Sequence, residues 1–322
     1  KYADALWALS SELLLVGRFE EGWCMHARFG ECPQDKIPRW KSQAPRWDGS
    51  RLHGRTILIS EEQGHGDTIQ FLRYLPLVRE RAGNCRILLD CPPLLCRLLK
   101  QNNALGAEVL ERDQPAAAAP RFDRQIPFLD LPFAVRRWEP VPVSEPYLHA
   151  PPAARAFWRD KLSATSGFRV GVAWAGNPKH PNDLRRSMPA EKLFPLLGIS
   201  GAAIHSLQIL PQGGPPKSLL DAGLIDLAAS ITDFADTAAV ISELDLVITV
   251  DTAVAHLAGA LGRPVWTLLP FVPEWRWGLH REDTPWYPTM RLFRQPAPGD
   301  WDAVIHRVFE ELGRLASQRT GS

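Results

Sequence analysis

No apolar run of the roughly eighteen residues needed to cross a bilayer occurs in the 322-residue chain. The segment from Lys1 also lacks the charged, apolar and small-residue zones of a secretory leader. Together these predict a cytoplasmic protein without a membrane span. Cysteine is sparse: Cys24, Cys32, Cys85, Cys91 and Cys96 form an odd set with no paired CxxC spacing. That argues against a zinc site and reads as reduced, mostly structural thiols. An excess of one charge is missing too. With 37 Lys and Arg against 36 Asp and Glu, the net charge of +1 provides no global field to draw the chain to nucleic acid or an anionic membrane. What is present, 45% hydrophobic and 23% charged residues over this length, suits two domains with well-formed cores. The 29 prolines and 12 tryptophans predict many ordered loops.

Leu6, Leu9, Leu13 and Leu14 recur at helical spacing, Gly17 interrupts, and a second helical stretch runs from Phe19 through Ala27. The pair resembles a tetratricopeptide repeat, with Gly17 at the turn and Gly22 as the small residue packed between helices; two unrelated amphipathic helices fit the same spacing. One such unit cannot bury its own apolar face, so further repeats before Lys1 are expected. Cys32 to Leu52, with Pro33, Pro38, Trp40, Pro45 and Trp47, has neither helical nor strand period and reads as a connector.

Strands and helices then alternate, which predicts parallel sheets. The first set is strand Thr56 to Ser60, helix Thr68 to Arg81, strand Arg86 to Asp90 and helix Pro92 to Lys100. A low-complexity break at Pro115 to Pro120 and a proline-rich stretch from Pro140 to Pro152 put a domain boundary near residue 150. After a helix from Ala153 to Leu162, strands are expected at Arg169 to Trp174, Ala203 to Leu207, Leu246 to Val250, Val265 to Leu268 and Met290 to Arg294. Helices are expected at Ala190 to Leu197, Phe234 to Leu244 and Ala253 to Leu261. The last runs from Trp301 to Leu315, with Val304, Ile305, Val308, Phe309 and Leu312 on one face. The fold class is therefore α/β: two doubly wound, Rossmann-like domains facing a cleft, preceded by a helical repeat remnant. The expected domains are 1–45, 46–150 and 151–322. Such folds bind ligands at the carboxyl ends of their strands.

Four loops at strand ends carry candidate chemistry. In Glu61-Glu62-Gln63-Gly64-His65-Gly66-Asp67, Gly64 and Gly66 permit close backbone approach, and Asp67 at the helix start can either cap amides or accept a proton from a hydroxyl. The loop from Trp174 through Asn177, Lys179, Arg185 and Arg186 to Ser187 gathers cations suited to a diphosphate, or to solvent. In the third, Asp251, Thr252 and Ala253 open a helix whose free amides and dipole suit phosphate; Asp251 is given a loop-ordering role. His256, one turn in, reads more readily as a packed histidine than as a catalyst. Phe271 to Trp277 suits a sugar or base and equally an ordered loop, with the structural reading favoured. Asp300-x-Asp302 opens the terminal helix and reads as capping, so no metal is expected.

Together and in this order these loops resemble the heptosyltransferase family (glycosyltransferase family 9), and more closely its bacterial members in which tetratricopeptide repeats precede the catalytic region. The resemblance implies the two-domain B-type glycosyltransferase fold. It implies a catalytic base at Gly66-Asp67, a donor-phosphate cation at Arg186 and diphosphate contacts at Asp251, Thr252, His256 and Leu257. The expected donor site comprises Gly64, Gly66, Trp174, Asn177, Lys179, Arg186, Ser187, Gln208, Asp251, Thr252, Ala253, His256 and Leu257, with Gln208 on the base or ribose. The expected partners are a nucleotide-sugar donor and a protein acceptor such as flagellin, with no cofactor. The repeat-like start, the WAGNP loop and FVPEWRW depart from lipopolysaccharide heptosyltransferases and leave the donor open. Two other readings stand beside this one: a non-catalytic scaffold that kept the fold, and a nucleotide-sugar epimerase.

Overall fold

The computed structural model describes residues 2–31, 44–112, 120–209 and 214–320. Cys32, Pro33, Pro38 and Trp40 of the expected connector, and most of the expected low-complexity break, lie outside the described residues. The chain forms two compact units, Lys1–Tyr147 with Glu274–Leu279, and Leu148–Pro273 with His280–Ser322.

The first unit opens with α1 (Tyr2–Leu15) and α2 (Phe19–Glu31), an antiparallel pair. Gly17 turns the chain at φ +81°. A Cβ at Gly22 would sit 2.7 Å from Leu14 Cδ2, so the helices approach closely because that residue is glycine. Leu6, Leu13 and Leu14 are buried, but Leu9 is 48% exposed. Ser10 takes the centre of the face instead, its hydroxyl donating to Gly22 O at 3.0 Å.

There follow β1 (Thr56–Ser60), α3 (His65–Phe71), α4 (Leu75–Ala82), β2 (Arg86–Cys91), α5 (Pro93–Gln101), β3 (Glu108–Glu111), β4 (Arg124–Pro127) and α6 (Leu131–Val135). The expected helix from Thr68 is thus two helices joined by a tight turn at Leu72–Tyr74, and it begins earlier, at His65. Pro76 explains the division: it has no N–H for a continuous helix and is tolerated only in the first turn of α4. The sheet is wholly parallel, in the order β3-β2-β1-β4. Leu58, Leu88 and Leu110 stack across it, with Phe122 against them.

The second unit contains α7 (Pro152–Leu162), β5 (Phe168–Ala173), α8 (Asp183–Arg186), α9 (Phe194–Leu197), β6 (Ala202–Ser206), α10 (Lys217–Asp221) and β7 (Ile225–Asp226). It continues with α11 (Phe234–Ser242), β8 (Leu246–Val250), α12 (Ala253–Ala260), β9 (Val265–Leu269), β10 (Met290–Arg294) and α13 (Trp301–Thr320). Six parallel strands run β10-β9-β8-β5-β6-β7. β8 is buried at every position, as expected of a parallel strand covered on both faces. Trp301, Val304, Ile305, Val308 and Leu312 dock α13 on the core shared by Val172, Ile248 and Phe293. Phe309, expected on that face, is 41% exposed at its edge. Asp300 caps the helix as expected, accepting from Ala303 N at 3.0 Å.

In both sheets the chain starts near the middle, builds outward on one side, and then returns to the other side of its first strand. Each unit therefore has a switch point at the strands' carboxyl ends, between β1 and β4 and between β5 and β8.

Candidate active site

Asp67 stands beside the first switch point. Gly64, extended at φ −135°, precedes the first turn of α3, and Asp67 is the third helical residue rather than the cap itself. Its Oδ2 accepts from Gly64 N at 3.0 Å, the return half of a capping box. Its Oδ1 accepts from Arg276 Nη2. Arg276 is buried, donates through Nε to Gln70 Oε1 and through Nη1 to Glu274 Oε1 at 2.5 Å, and lies 4.3 Å over the Trp275 ring. The segment read mainly as an ordered loop thus delivers a cation to the candidate base.

On one side of Asp67, Glu61 joins two residues: its Oε1 pairs with His65 Nδ1 at 2.9 Å and its Oε2 accepts from Arg112 Nη1 at 2.7 Å. Arg112 also donates to Asp90 at 2.9 Å, tying together the carboxyl ends of β1, β2 and β3. On the β4 side, Asp130 pairs with Arg46 and with His26 Nδ1 at 3.2 Å. Glu62 faces this group. The residue keeps some surface exposure, but its Oε1 is sealed from solvent without a hydrogen-bond partner. Burial, then the charges of Asp130 and Asp67, push its carboxyl well above the usual carboxylate range.

In the second unit the loop after β5 is knotted by short polar contacts. Gly176 N donates to Ser187 Oγ at 2.9 Å, and Ser187 Oγ donates to Asp183 Oδ1 at 3.0 Å. Arg186 Nε donates to the same oxygen at 3.4 Å. A Cβ on residue 176 would lie 2.6 Å from Asp183 Oδ1 and 2.7 Å from Arg186 Nη2, so a larger residue there would displace these side-chain ends from the turn. The remaining edge of Arg186 is partly exposed. Lys179 and Asn177 are exposed, with Asn177 Oδ1 accepting from Lys179 N at 3.0 Å.

Across the switch point, Thr252 caps α12, its Oγ1 accepting from Val254 N at 3.3 Å and lying 3.1 Å from Thr249 Oγ1. Ala255 N bonds Thr252 O, and the Ala253 amide has no partner inside the helix, as at any helix start. Asp251 is buried beneath the turn. His256 is buried, with Nδ1 3.0 Å from Tyr287 Oη, and Leu257 is fully enclosed. Both hold α12 in place from within.

Two of the expected donor residues, Trp174 and Gln208, are buried in this geometry. The Trp174 ring packs in the core with Met188 and Leu193, because the residue follows β5 directly and keeps its inward direction. Gln208 is buried, its Oε1 accepting from Trp174 N at 3.0 Å and Ala175 N at 2.8 Å, while Nε2 donates to Ile209 O. Its oxygen is occupied in ordering the loop, while Nε2 keeps a second N–H beyond the one given to Ile209 O. Sequence reasoning offered Arg276 only to a sugar or base and gave no role to Arg112, Asp130, Glu61 or Glu62. The glutamates' position directly after β1 was the available signal. Among the described residues no three His, Cys, Asp or Glu side chains gather as metal ligands, and no helix is long and apolar enough to cross a membrane.

Comparison with known proteins places this geometry in context. The model of glycosyltransferase family 9 (heptosyltransferase) matches residues 219–294, which span α12 and the Arg276 segment. Protein FlbA of Caulobacter vibrioides is 28% identical over 334 residues, covering 96% of this chain and 55% of its own length. The chain therefore spans about half of that relative. A glycosyl transferase family 9 structure from Veillonella parvula aligns over 82% of this chain and 96% of its own, with TM-score 0.55 at 13% identity. The E. coli ADP-heptose lps heptosyltransferase II aligns over 82% and 99%, with TM-score 0.53 at 15% identity. At these identities the likeness is one of fold: α/β with parallel sheets, as in heptosyltransferases.

Proposed function

We propose that the chain is a glycosyltransferase that moves a sugar from a nucleotide-diphosphate sugar to an acceptor hydroxyl on a protein. The observation that carries the reading is that each unit has its own switch point and the two differ in chemistry. One presents a carboxylate, Asp67, and the other presents a helix start and a guanidinium, Thr252–Ala253 and Arg186. The family match over 219–294 includes the Thr252–Ala253 helix start and supports that part of the reading.

In this reading the donor diphosphate takes the Ala253 amide and the dipole of α12, with Arg186 and Lys179 offsetting its charge. Asp67 accepts the proton of the acceptor hydroxyl as its oxygen attacks the anomeric carbon. The bond from that carbon to the phosphate oxygen breaks in the same displacement, with inversion, and the leaving charge is met by amides and cations without a metal. In the same reading the acceptor is a polypeptide such as flagellin, held by the helix pair α1–α2 acting as part of a repeat array.

A thermal-shift panel of nucleoside diphosphates and nucleotide sugars tests the donor half. A ligand at a hundred times its Kd adds about 2.7 kcal/mol of stability. Stabilisation by one nucleotide family, lost in Arg186→Ala, is expected. Silence from every nucleotide, or an unchanged response in Arg186→Ala, overturns the site. Asp67→Asn should keep the nucleotide response and lose transfer; full activity would remove the base assignment.

A further inference from the structure

We infer that Arg276 is the positioning residue of the base, holding the Asp67 carboxylate in the one orientation from which it can take the acceptor proton. The inference rests on the transferase reading above. Asp67 is on the third residue of a short helix, and a carboxylate there has free rotation about its last torsion unless both oxygens are held. Gly64 N holds Oδ2 at 3.0 Å. Without a second donor the carboxylate could turn about that single bond and carry its other oxygen away from the acceptor.

Arg276 supplies that second hold, and is itself fixed at three points. Nε is anchored on Gln70, one helical turn past Asp67 on α3, Nη1 on Glu274, and the face of the guanidinium on Trp275. Trp275 in turn meets Trp23 of α2 edge to face, with ring centres 5.2 Å apart and planes at 87°. The donor that reaches Asp67 is therefore pre-set by rigid aromatic packing. The planar fork matters: Nε and Nη2 on one edge address Gln70 and Asp67 side by side, a geometry that a single ammonium cannot copy. Each carboxylate oxygen accepts along two lone-pair directions, so one direction on each remains for the acceptor hydroxyl after these two bonds form.

The test measures nucleoside diphosphate release from ADP-heptose, GDP-mannose and UDP-N-acetylglucosamine, with water as acceptor, in the full chain and its Arg276→Gln, Arg276→Lys and Asp67→Asn variants. Arg276→Gln should lower kcat by roughly 10- to 100-fold with the donor KM within about twofold, by analogy with the loss when the partner that orients a metal ligand is removed. Arg276→Lys should recover only part of the loss. In an Asp67→Asn background the same substitution should change the residual rate little, because there is no base left to orient. A uniform loss in both backgrounds, a rise in donor KM in place of the fall in kcat, or wild-type rates in Arg276→Gln overturns the positioning role and leaves the transferase reading standing. If Arg276→Gln does not fold, Arg276→Lys carries the same comparison. A wild-type chain that releases nucleotide from none of the three donors, and that no nucleotide of the thermal-shift panel stabilises, overturns both.

Discussion

Glu62→Gln should stabilise the first unit increasingly as pH rises. The wild-type carboxyl sits against Asp130 and Asp67 with one oxygen sealed and unbonded, and its folded pKa is raised, first by burial. In the unfolded chain it ionises near the ordinary glutamate value, about 4.3. Below that value both states hold the proton, and the group leaves stability unchanged. Above it the unfolded state gives up the proton while the folded state keeps it, so stability falls by up to about 1.4 kcal/mol per pH unit until the folded carboxyl also ionises. Glutamine mimics the protonated carboxyl in shape and removes the titration. The difference between variant and wild type should therefore be near zero at about pH 4 and grow towards neutrality. For a unit of this size each kcal/mol is about 2–4 °C in unfolding temperature. Melting curves at half-unit pH steps measure it directly. Parallel curves for the two proteins, or a gap that widens on acidification, would refute the assignment.

Trp23 is fully buried, edge-on to Phe71 and Trp275, with Nε1 donating to Trp138 O at 3.0 Å. Trp23→Ala should cost about 3–5 kcal/mol and lower the melting temperature of the first unit by on the order of 10 °C; an unchanged transition would show that the helix pair is not integral to it. Gly259→Ala should destabilise the second unit by about 1–3 kcal/mol through overpacking, since the new methyl would lie 2.3 Å from the Tyr287 ring. The same displacement should weaken any nucleotide-induced stabilisation by shifting α12, and calorimetry on the variant checks both effects. Asp233 caps α11 by accepting from Ala235 N at 2.8 Å and Asp236 N at 3.0 Å. Asp233→Ala should cost about 1 kcal/mol in denaturant titration without altering the nucleotide response, which makes it the control for Gly259→Ala.

Strands made of mainly apolar runs could be read directly: Thr56–Ser60 and Leu246–Val250 occupy the expected positions, as does the edge strand Met290–Arg294 despite its two arginines. Burial on both faces leaves such a segment few other conformations. β3, β4 and β7 escaped because they are short, lie towards the sheet margins, and carry Glu108, Arg124 and Asp226 where a core strand would be apolar. The start of α3 was placed too late because glycine on either side of His65 looks like loop, while the bond from Gly64 N to Asp67 Oδ2 extends the helix back across them. Trp174 shows the converse problem. A tryptophan ending a strand is equally suited to a ligand or a core, and only the register of β5 settles which way its ring points. Arg276 could not have been paired from sequence at all, since its carboxylate partner is 209 residues away.

The candidate base also shows why a capping role and a catalytic role are not alternatives. Capping engages Oδ2 of Asp67 through a main-chain amide. Proton transfer needs only one unoccupied lone-pair direction on a carboxylate that does not rotate. The cap therefore supplies half of the immobilisation that catalysis requires, and Arg276 supplies the other half. A similar economy holds in the second unit. There the Thr252 side chain satisfies Val254 N, and the amide before it in the helix stays available to an anion. In both units the first turn of the helix is stabilised by one set of atoms and keeps another set for ligand. A sequence reader who finds a good cap at a switch point has thus found a reason to look for chemistry there rather than a reason to dismiss it.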